Sequence, residues 1–316
     1  MRFRNIYLRL KDYYNNLDKL LVDMLATRIC NIIPDKIYLK IKYRIVVKSA
    51  LSFNNPETFN AKIQYLKLHQ TENIYASICD KYEVRKYVSD KVGEEYLIPI
   101  IGIFNNPNEI DYKGLPDKIV IKCTHDSGTA LIFNGNMPSN TTATVNRLQR
   151  ALNSNYYYLH RERAYKHIKP RIICEELLED NVNNQIYDYK FMCFGGKAKC
   201  FFVTIDRNRE SGLKLNFYDM NWQQLPFKRV YPNFTTPIRK PSNFDKMVEL
   251  AERLAEGFTF VRVDLYDVNN TIYFGEMTLY PGAGFERFTP EKWDYILGEW
   301  MEIPECNTRN RDSIYP

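Results

Sequence analysis

The stretch FVRVDLYDVNNTIYFGEMTLYPGAG, residues 260–284, decides how this chain is read. Two runs of alternating apolar and polar residues flank Asn269-Asn270, the pattern of two half-buried strands joined by a tight turn. Each run carries a carboxylate in its interior, Asp264 and Glu276. In the first strand Arg262, Asp264 and Tyr266 share one face, opposite Val261, Val263 and Leu265; in the second, Glu276 and Thr278 share a face with Ile272 and Phe274. Parity then sets a condition. Asp264 lies opposite Glu276 only if an odd turn is centred on Asn270, whereas a two-residue Asn269-Asn270 turn sends the carboxylates to opposite faces. Facing carboxylates repel unless a positive charge lies between them. Arg262 is one candidate and gives an ion-pair cluster. Mg²⁺ is the other, a hard cation held by one or two carboxylates and by substrate phosphates.

Upstream, YLIPIIGIF (96–104), KIVIKC (118–123), TALIF (129–133), RIICEEL (171–177), YKFMCF (189–194) and KCFFVTI (199–205) read as short strands. FGGK, between the last two, is a tight hairpin. Helical patterns interrupt the strands near 140–168 and 242–256 and precede them. Leu8, Leu10, Leu17, Leu20, Leu21, Met24 and Leu25 predict one or two helices ending near Pro34. Phe59, Ile63 and Leu66 mark a helix face, with Asn55 before Pro56 as its expected cap. YASICDKYEVRKYVSDKVG reads as one further helix stopped at Gly93. The fold class is α+β, mainly antiparallel strands with segregated helices.

Of 316 residues, 45% are hydrophobic and 26% charged, values of a folded chain with a sizeable core rather than a disordered one. The 24 tyrosines suit half-buried surfaces and sugar or nucleotide contacts. No apolar run is long enough to span a bilayer, and the first residues lack a signal-peptide core. The seven cysteines are scattered without a CxxC pair, which fits reduced, cytoplasmic thiols, and the four histidines lack zinc spacing. Of the net charge of +6, residues 1–50 contribute +7. That leader has two readings: peripheral contact with the inner membrane face or an anionic polymer, or a solvated helical extension on the main domain. A nucleic-acid partner is not expected.

P-loop, GxGxxG and GxSxG patterns are absent, as is the DxD of metal-dependent glycosyltransferases. Lys122 ends an apolar strand and precedes CTHDSGT, a polar turn whose backbone N–H groups suit a phosphate. Glu175 and Glu176 stand at a strand end, where backbone groups can meet a nucleobase.

In order, DKYEVRKYV, LPDKIVIKCTHDSG, PRIICEELLED, DYKFMCFGGK, VRVDLY and GEMTLYPGAG resemble the TupA-like ATP-grasp family, named for a teichuronopeptide-synthesis protein. The last two are also similar to the Arg-x-Asp, Glu-x-Asn and Pro-Gly motifs of D-alanine–D-alanine ligases, with Thr278 in place of the Asn. The resemblance implies two α+β subdomains gripping ATP over residues 52–300. Within them, 52–117 would hold helices and the first strand, 118–180 the smaller nucleotide-gripping part and 181–300 the larger metal-binding part. Residues 1–51 would be a basic helical extension and 301–316 a tail.

It further implies that Lys81 and Lys122 hold ATP phosphates. His125, Ser127 and Gly128 would form the phosphate loop, which reads THDSG where the family has NHGSG. Glu175, Glu176, Leu177 and Leu178 would be the adenine hinge, and either Asp188 or Lys190 would reach the nucleotide. Asp264, Glu276 and Thr278 would bind Mg²⁺, Arg262 would stabilise transferred charge beside Lys122, and Gly282, Gly284 and Arg287 would meet substrate. The implied reaction is ATP-dependent amide formation through an acyl phosphate. Carboxylate and amine substrates are expected, the acid being a uronic acid of a cell-surface or capsular polysaccharide. The alternative is a glycosyltransferase using a nucleotide sugar.

Overall fold

The computed structural model describes residues 17–135, 142–180, 186–205 and 212–303. The expected helical residues 1–16 and the tail from 304 lie outside them. Helices α1 (Leu17–Leu25), α2 (Asp35–Val46), α3 (Phe59–His69), α4 (Asn73–Cys79) and α5 (Val84–Lys91) come first. Strands β1 (Ile100–Phe104), β2 (Lys118–Cys123) and β3 (Leu131–Asn134), helices α6 (Thr142–Leu152) and α7 (Tyr157–His160), and strand β4 (Ile172–Glu176) follow. Then come β5 (Asp188–Phe194), β6 (Lys197–Ile205), β7 (Lys214–Asp219), the short β8 (Lys228–Arg229) and helix α8 (Phe244–Ala255). The chain continues with β9 (Phe260–Val268), β10 (Thr271–Thr278), the short β11 (Phe288–Thr289) and helix α9 (Lys292–Glu299).

Two antiparallel sheets result, β1-β4-β2-β3 and β10-β9-β5-β6-β7, with β8 and β11 as a separate pair. The smaller sheet buries Ile119, Ile121, Cys123 and Cys174 with Leu148 of α6. Its alternate positions, Val120, Lys122 and Glu175, face the other way. The larger sheet buries Phe191, Phe201, Val261 and Val263 in the same core as Phe244, Met247, Leu250 and Leu254 of α8. Its opposite face carries Asp188, Lys190, Thr204, Arg262 and Asp264. One polar face from each sheet is thus left for the site.

Three local expectations change. Residues 75–93 form two helices, because Asp80 stops α4 and its Oδ1 accepts from Tyr82 N (2.7 Å) and Glu83 N (3.1 Å). That break sets Lys81 between the helices. The α3 cap is Thr58, whose side chain accepts from Ala61 N, and not Asn55. The leader also continues past Pro34 into α2, whose Tyr38, Leu39 and Tyr43 are buried with Leu68, Ala283 and Phe285. An apolar stripe is therefore docked beside the turn that follows β10.

Candidate active site

The opening hairpin resolves in an unanticipated way. Its turn is the two-residue one: Thr271 pairs with Val268, and Asn269 and Asn270 take φ of 53° and 63°. Both values are the left-handed conformations that Asn tolerates in such turns. Up to Phe274↔Leu265 the register follows from that turn. A β-bulge at Gly275 then shifts it, so that Glu276 pairs with Asp264 and Thr278 with Arg262. Ile272 and Phe274 consequently go to the core while Glu276 and Thr278 face the site, correcting the expected shared face. Glycine is needed at the bulge. A Cβ on Gly275 would lie 2.9 Å from the Tyr266 ring and 3.1 Å from the Asp264 carbonyl oxygen.

Arg262 bridges the two carboxylates. Its Nε donates to Asp264 Oδ1 at 2.6 Å, and Nη2 donates to Asp264 Oδ2 at 2.7 Å and to Glu276 Oε1 at 2.5 Å. Lys190 Nζ reaches Asp188 Oδ2 at 2.6 Å and also Asp264, so Asp188 and Lys190 enter the site as a pair. Thr278 Oγ1 donates to Glu276 Oε1 at 3.2 Å. Complete burial of Asp264 pushes its carboxyl up, to about 6, against the pull of Arg262 and Lys190. Desolvation also raises the half-exposed Glu276 carboxyl, but Arg262, Lys190 and Lys81 outweigh it, holding it down at about 2.

Between the two sheets lies a cavity of about 570 Å³. Apolar Ile98, Val120, Ile132, Leu177 and Leu178 line one part of it, and Lys81, Lys122, Ser127, Gly128, Asp188 and Lys190 a polar part. Glu175 and Glu176 also line it; the Glu175 carboxylate lies 2.5 Å from Lys122 Nζ and 3.3 Å from Arg85 Nη1. An apolar slot beside three lysines and a glycine-bearing turn suits a nucleoside triphosphate. In that turn Asp126 points to Thr129, while its carbonyl accepts from Lys81 Nζ. A second cavity of about 330 Å³ shares Lys81, Asp126, Ser127, Gly275 and Glu276 with the first. Arg262, Thr278 and Gly282 also line it.

Some expected residues stand elsewhere. His125 is buried in the turn after β2 and its Nε2 lies 3.1 Å from Ala151 O of α6, so it faces that helix rather than the cavities. Gly284 lines neither cavity; it packs on α3, where a Cβ would meet Gln64 Nε2 at 2.5 Å. Arg287 is exposed and lines neither. Conversely, Glu162, Tyr156, Tyr165 and Tyr280 line the second cavity and were not singled out in sequence. Glu162 sits between Arg161 and Arg163, where it reads as one member of a solvated charge run.

The donor set fits Mg²⁺ that arrives on phosphates rather than in a protein cage. Among the described residues no three His, Cys, Asp or Glu side chains form a metal-holding group. Glu276 lines both cavities and can be one of the one or two carboxylates that a phosphate-bound Mg²⁺ needs, whereas both oxygens of buried Asp264 are engaged by Arg262 and Lys190.

The sequence profile described as "TupA-like ATPgrasp" matches residues 61–302. The chain belongs to the TupA-like ATP-grasp family. It is accordingly an ATP-grasp enzyme, of a class that uses ATP and Mg²⁺. Among solved structures it is similar to D-alanine–D-alanine ligase from Helicobacter pylori, at 13% identity and a TM-score of 0.40, over 79% of this chain and 70% of that one. It is also similar to N5-carboxyaminoimidazole synthetase from Staphylococcus aureus, at 14% identity and 0.39, over 78% and 60%. L-amino acid ligase from Bacillus licheniformis matches at 11% identity and 0.38, over 71% and 49%. The chain spans 70% of the first of these three enzymes but less than two thirds of the other two. No curated protein matches it.

Proposed function

We propose that this TupA-like ATP-grasp protein activates a carboxylate with ATP and joins it to an amine as an amide. The observation that carries the reading is the shared wall of the two cavities, where Glu276 and Lys81 face both a nucleotide-shaped space and a substrate-sized one, with Arg262 on the smaller side. Lys81 and Lys122 hold phosphates, Lys122 exchanging its Glu175 partner for them, and Leu177 and Leu178 cover the base. Arg262 offsets charge where the two spaces meet. Glu276 and Thr278 hold Mg²⁺, which when bound neutralises phosphate charge. Catalysis of this kind is positioning and charge compensation, so no protein nucleophile is required.

The acid, in this proposal, is a uronic acid of a cell-surface glycan. That part rests on the family's name and on the basic leader, not on a residue of the site. Differential scanning fluorimetry with Mg-ATP, Mg-GTP and Mg-UDP-sugars tests the nucleotide. A ligand at a hundredfold excess over Kd stabilises the folded state by about 2.7 kcal/mol, which moves a chain this size by a few degrees. An ATP-selective rise is expected. A UDP-sugar response without an ATP response would replace ligation with glycosyl transfer.

We also propose that the leader places the enzyme against an anionic surface. Among the described residues no helix is long and apolar enough to cross a membrane. However, Ile29 and Ile32 are 81% and 87% exposed, beside exposed Arg28, Lys36 and Lys40. Apolar insertion beside basic charge suits anionic lipid. Deleting the leader would strip buried Tyr38 and Tyr43 from the fold, so Ile29→Ser/Ile32→Ser is the better probe. It should reduce co-sedimentation with phosphatidylserine vesicles and leave the background on phosphatidylcholine unchanged. Equal pelleting of both proteins on both lipids would end the idea.

A further inference from the structure

We propose that the smaller cavity binds the amine substrate as an ammonium, its charge met by the Glu162 carboxylate and its body held against Tyr156, Tyr165 and Tyr280. The inference rests on the ligase reading and assigns one substrate to one space.

Glu162 is only 3% exposed and lines the cavity, and burial pushes its carboxyl up to about 7 against the more distant pull of Lys67 and Lys42. A buried carboxylate is costly unless compensated, and such a group calls for a cation or a proton. The nearby lysines do not supply the pairing. Lys67 Nζ donates to Ala283 O (2.6 Å), His160 O (3.0 Å) and Gln64 Oε1 (3.0 Å). Lys42 Nζ donates to Leu159 O at 2.6 Å and lies 3.0 Å from His160 Nδ1. Both ammonium groups are directed at neutral acceptors. The Tyr280 hydroxyl is a buried group in this space without a partner.

The sign of the space favours an amine over the acid. Asp126, Glu162, Glu276 and Glu286 line it against Lys81 and Arg262, and Arg262 is engaged by Asp264 and Glu276. Glu286 is paired with Arg229, but a carboxylate substrate would still meet Asp126, Glu162 and Glu276 there, whereas an ammonium finds the Glu162 carboxylate, held only by the distant pull of Lys42 and Lys67, among tyrosines. Burial, reinforced by Lys42 and Lys67, pushes the His160 imidazole down to about 2, so it adds no positive charge. A cavity of about 330 Å³ has room for a molecule of amino-acid size.

The test uses the full-length protein saturated with Mg·AMP-PNP and titrated calorimetrically with 2-aminoethanol and glycinamide, with ethylene glycol as the neutral control. Wild type should bind the two ammonium probes and not the diol. Glu162→Gln should weaken them tenfold or more while leaving the AMP-PNP affinity unchanged, and Tyr280→Phe should weaken them severalfold. Equal affinity in wild type and both variants, or no ammonium binding by wild type, would overturn the assignment. If Glu162→Gln does not fold, Glu162→Asp, which keeps the charge but withdraws it, must weaken the probes for the assignment to stand. A wild-type protein that fails to bind Mg·AMP-PNP would instead remove the ligase reading on which the assignment depends.

Discussion

Glu276→Gln is expected to slow ADP release on the order of a hundred- to a thousandfold, the scale for removing one group that compensates transition-state charge. The substitution is nearly isosteric. A glutamine carbonyl can still accept from Arg262 Nη2 and Thr278 Oγ1, so the hairpin should hold its register. The wild-type carboxylate is kept ionised by Arg262, Lys190 and Lys81, and it is the acidic side chain of β10 that faces both cavities. Neutralising it removes a hard-cation donor at the shared wall. The check is a Mg²⁺ titration of nucleotide binding alongside ADP release. In wild type, added Mg²⁺ should tighten nucleotide binding; in the variant that gain should shrink, and with EDTA the two proteins should converge. An identical Mg²⁺ dependence in both would remove Glu276 from the metal's surroundings.

Arg262→Met should be the most destabilising exchange at the site, lowering stability by about 3–5 kcal/mol, the range for leaving a buried charge without its partner. Asp264 is fully buried, and both its oxygens accept from this guanidinium. Lys190 remains beside it but is shared with Asp188, which places the expectation toward the lower end. For a chain of this size the loss corresponds to a Tm drop of roughly 5 °C. The pH dependence has a definite sign. Without Arg262 the folded-state pKa of Asp264 moves further above its unfolded value. A carboxyl raised in this way destabilises the fold above its unfolded pKa, and the penalty fades as pH falls and the folded-state group is protonated. The Tm gap between wild type and Arg262→Met should therefore narrow from about pH 8 to about pH 5. A gap that is constant or widens on acidification would mean that Asp264 is not the group left uncompensated.

Much of this site can be read from residue order, because strand alternation and the succession of motifs are local signals. KIVIKC places Lys122 on the face opposite Ile119 and Ile121, and that is where it stands. What escaped depends on tertiary packing. Turn parity assumed regular strands, whereas Gly275 inserts a residue that only the approach of Tyr266 and the Asp264 carbonyl explains. The helix pattern from 75 to 93 is continuous in polarity, so the Asp80 stop had no periodic signal. Residues 35–46 do carry helical spacing at Tyr38, Leu39, Lys42 and Tyr43, which attention to Pro34 as an end obscured. Glu162 lay hidden because charge in sequence carries no sign of burial.

The bulge makes the hairpin two rulers joined off by one. The outer ruler, from the Asn tip to Phe274, answers to the apolar core; the inner one, from Glu276 onward, answers to the chemistry. Relatives are thus free to lengthen or shorten the tip by residue pairs without moving a single acidic oxygen. Ironing out the bulge without losing a residue would instead pair Gly275 with Asp264 and turn Glu276 and Thr278 into the greasy interior at a stroke. A family descended through such a hairpin can vary its outer edge widely, yet its inner edge admits no half step.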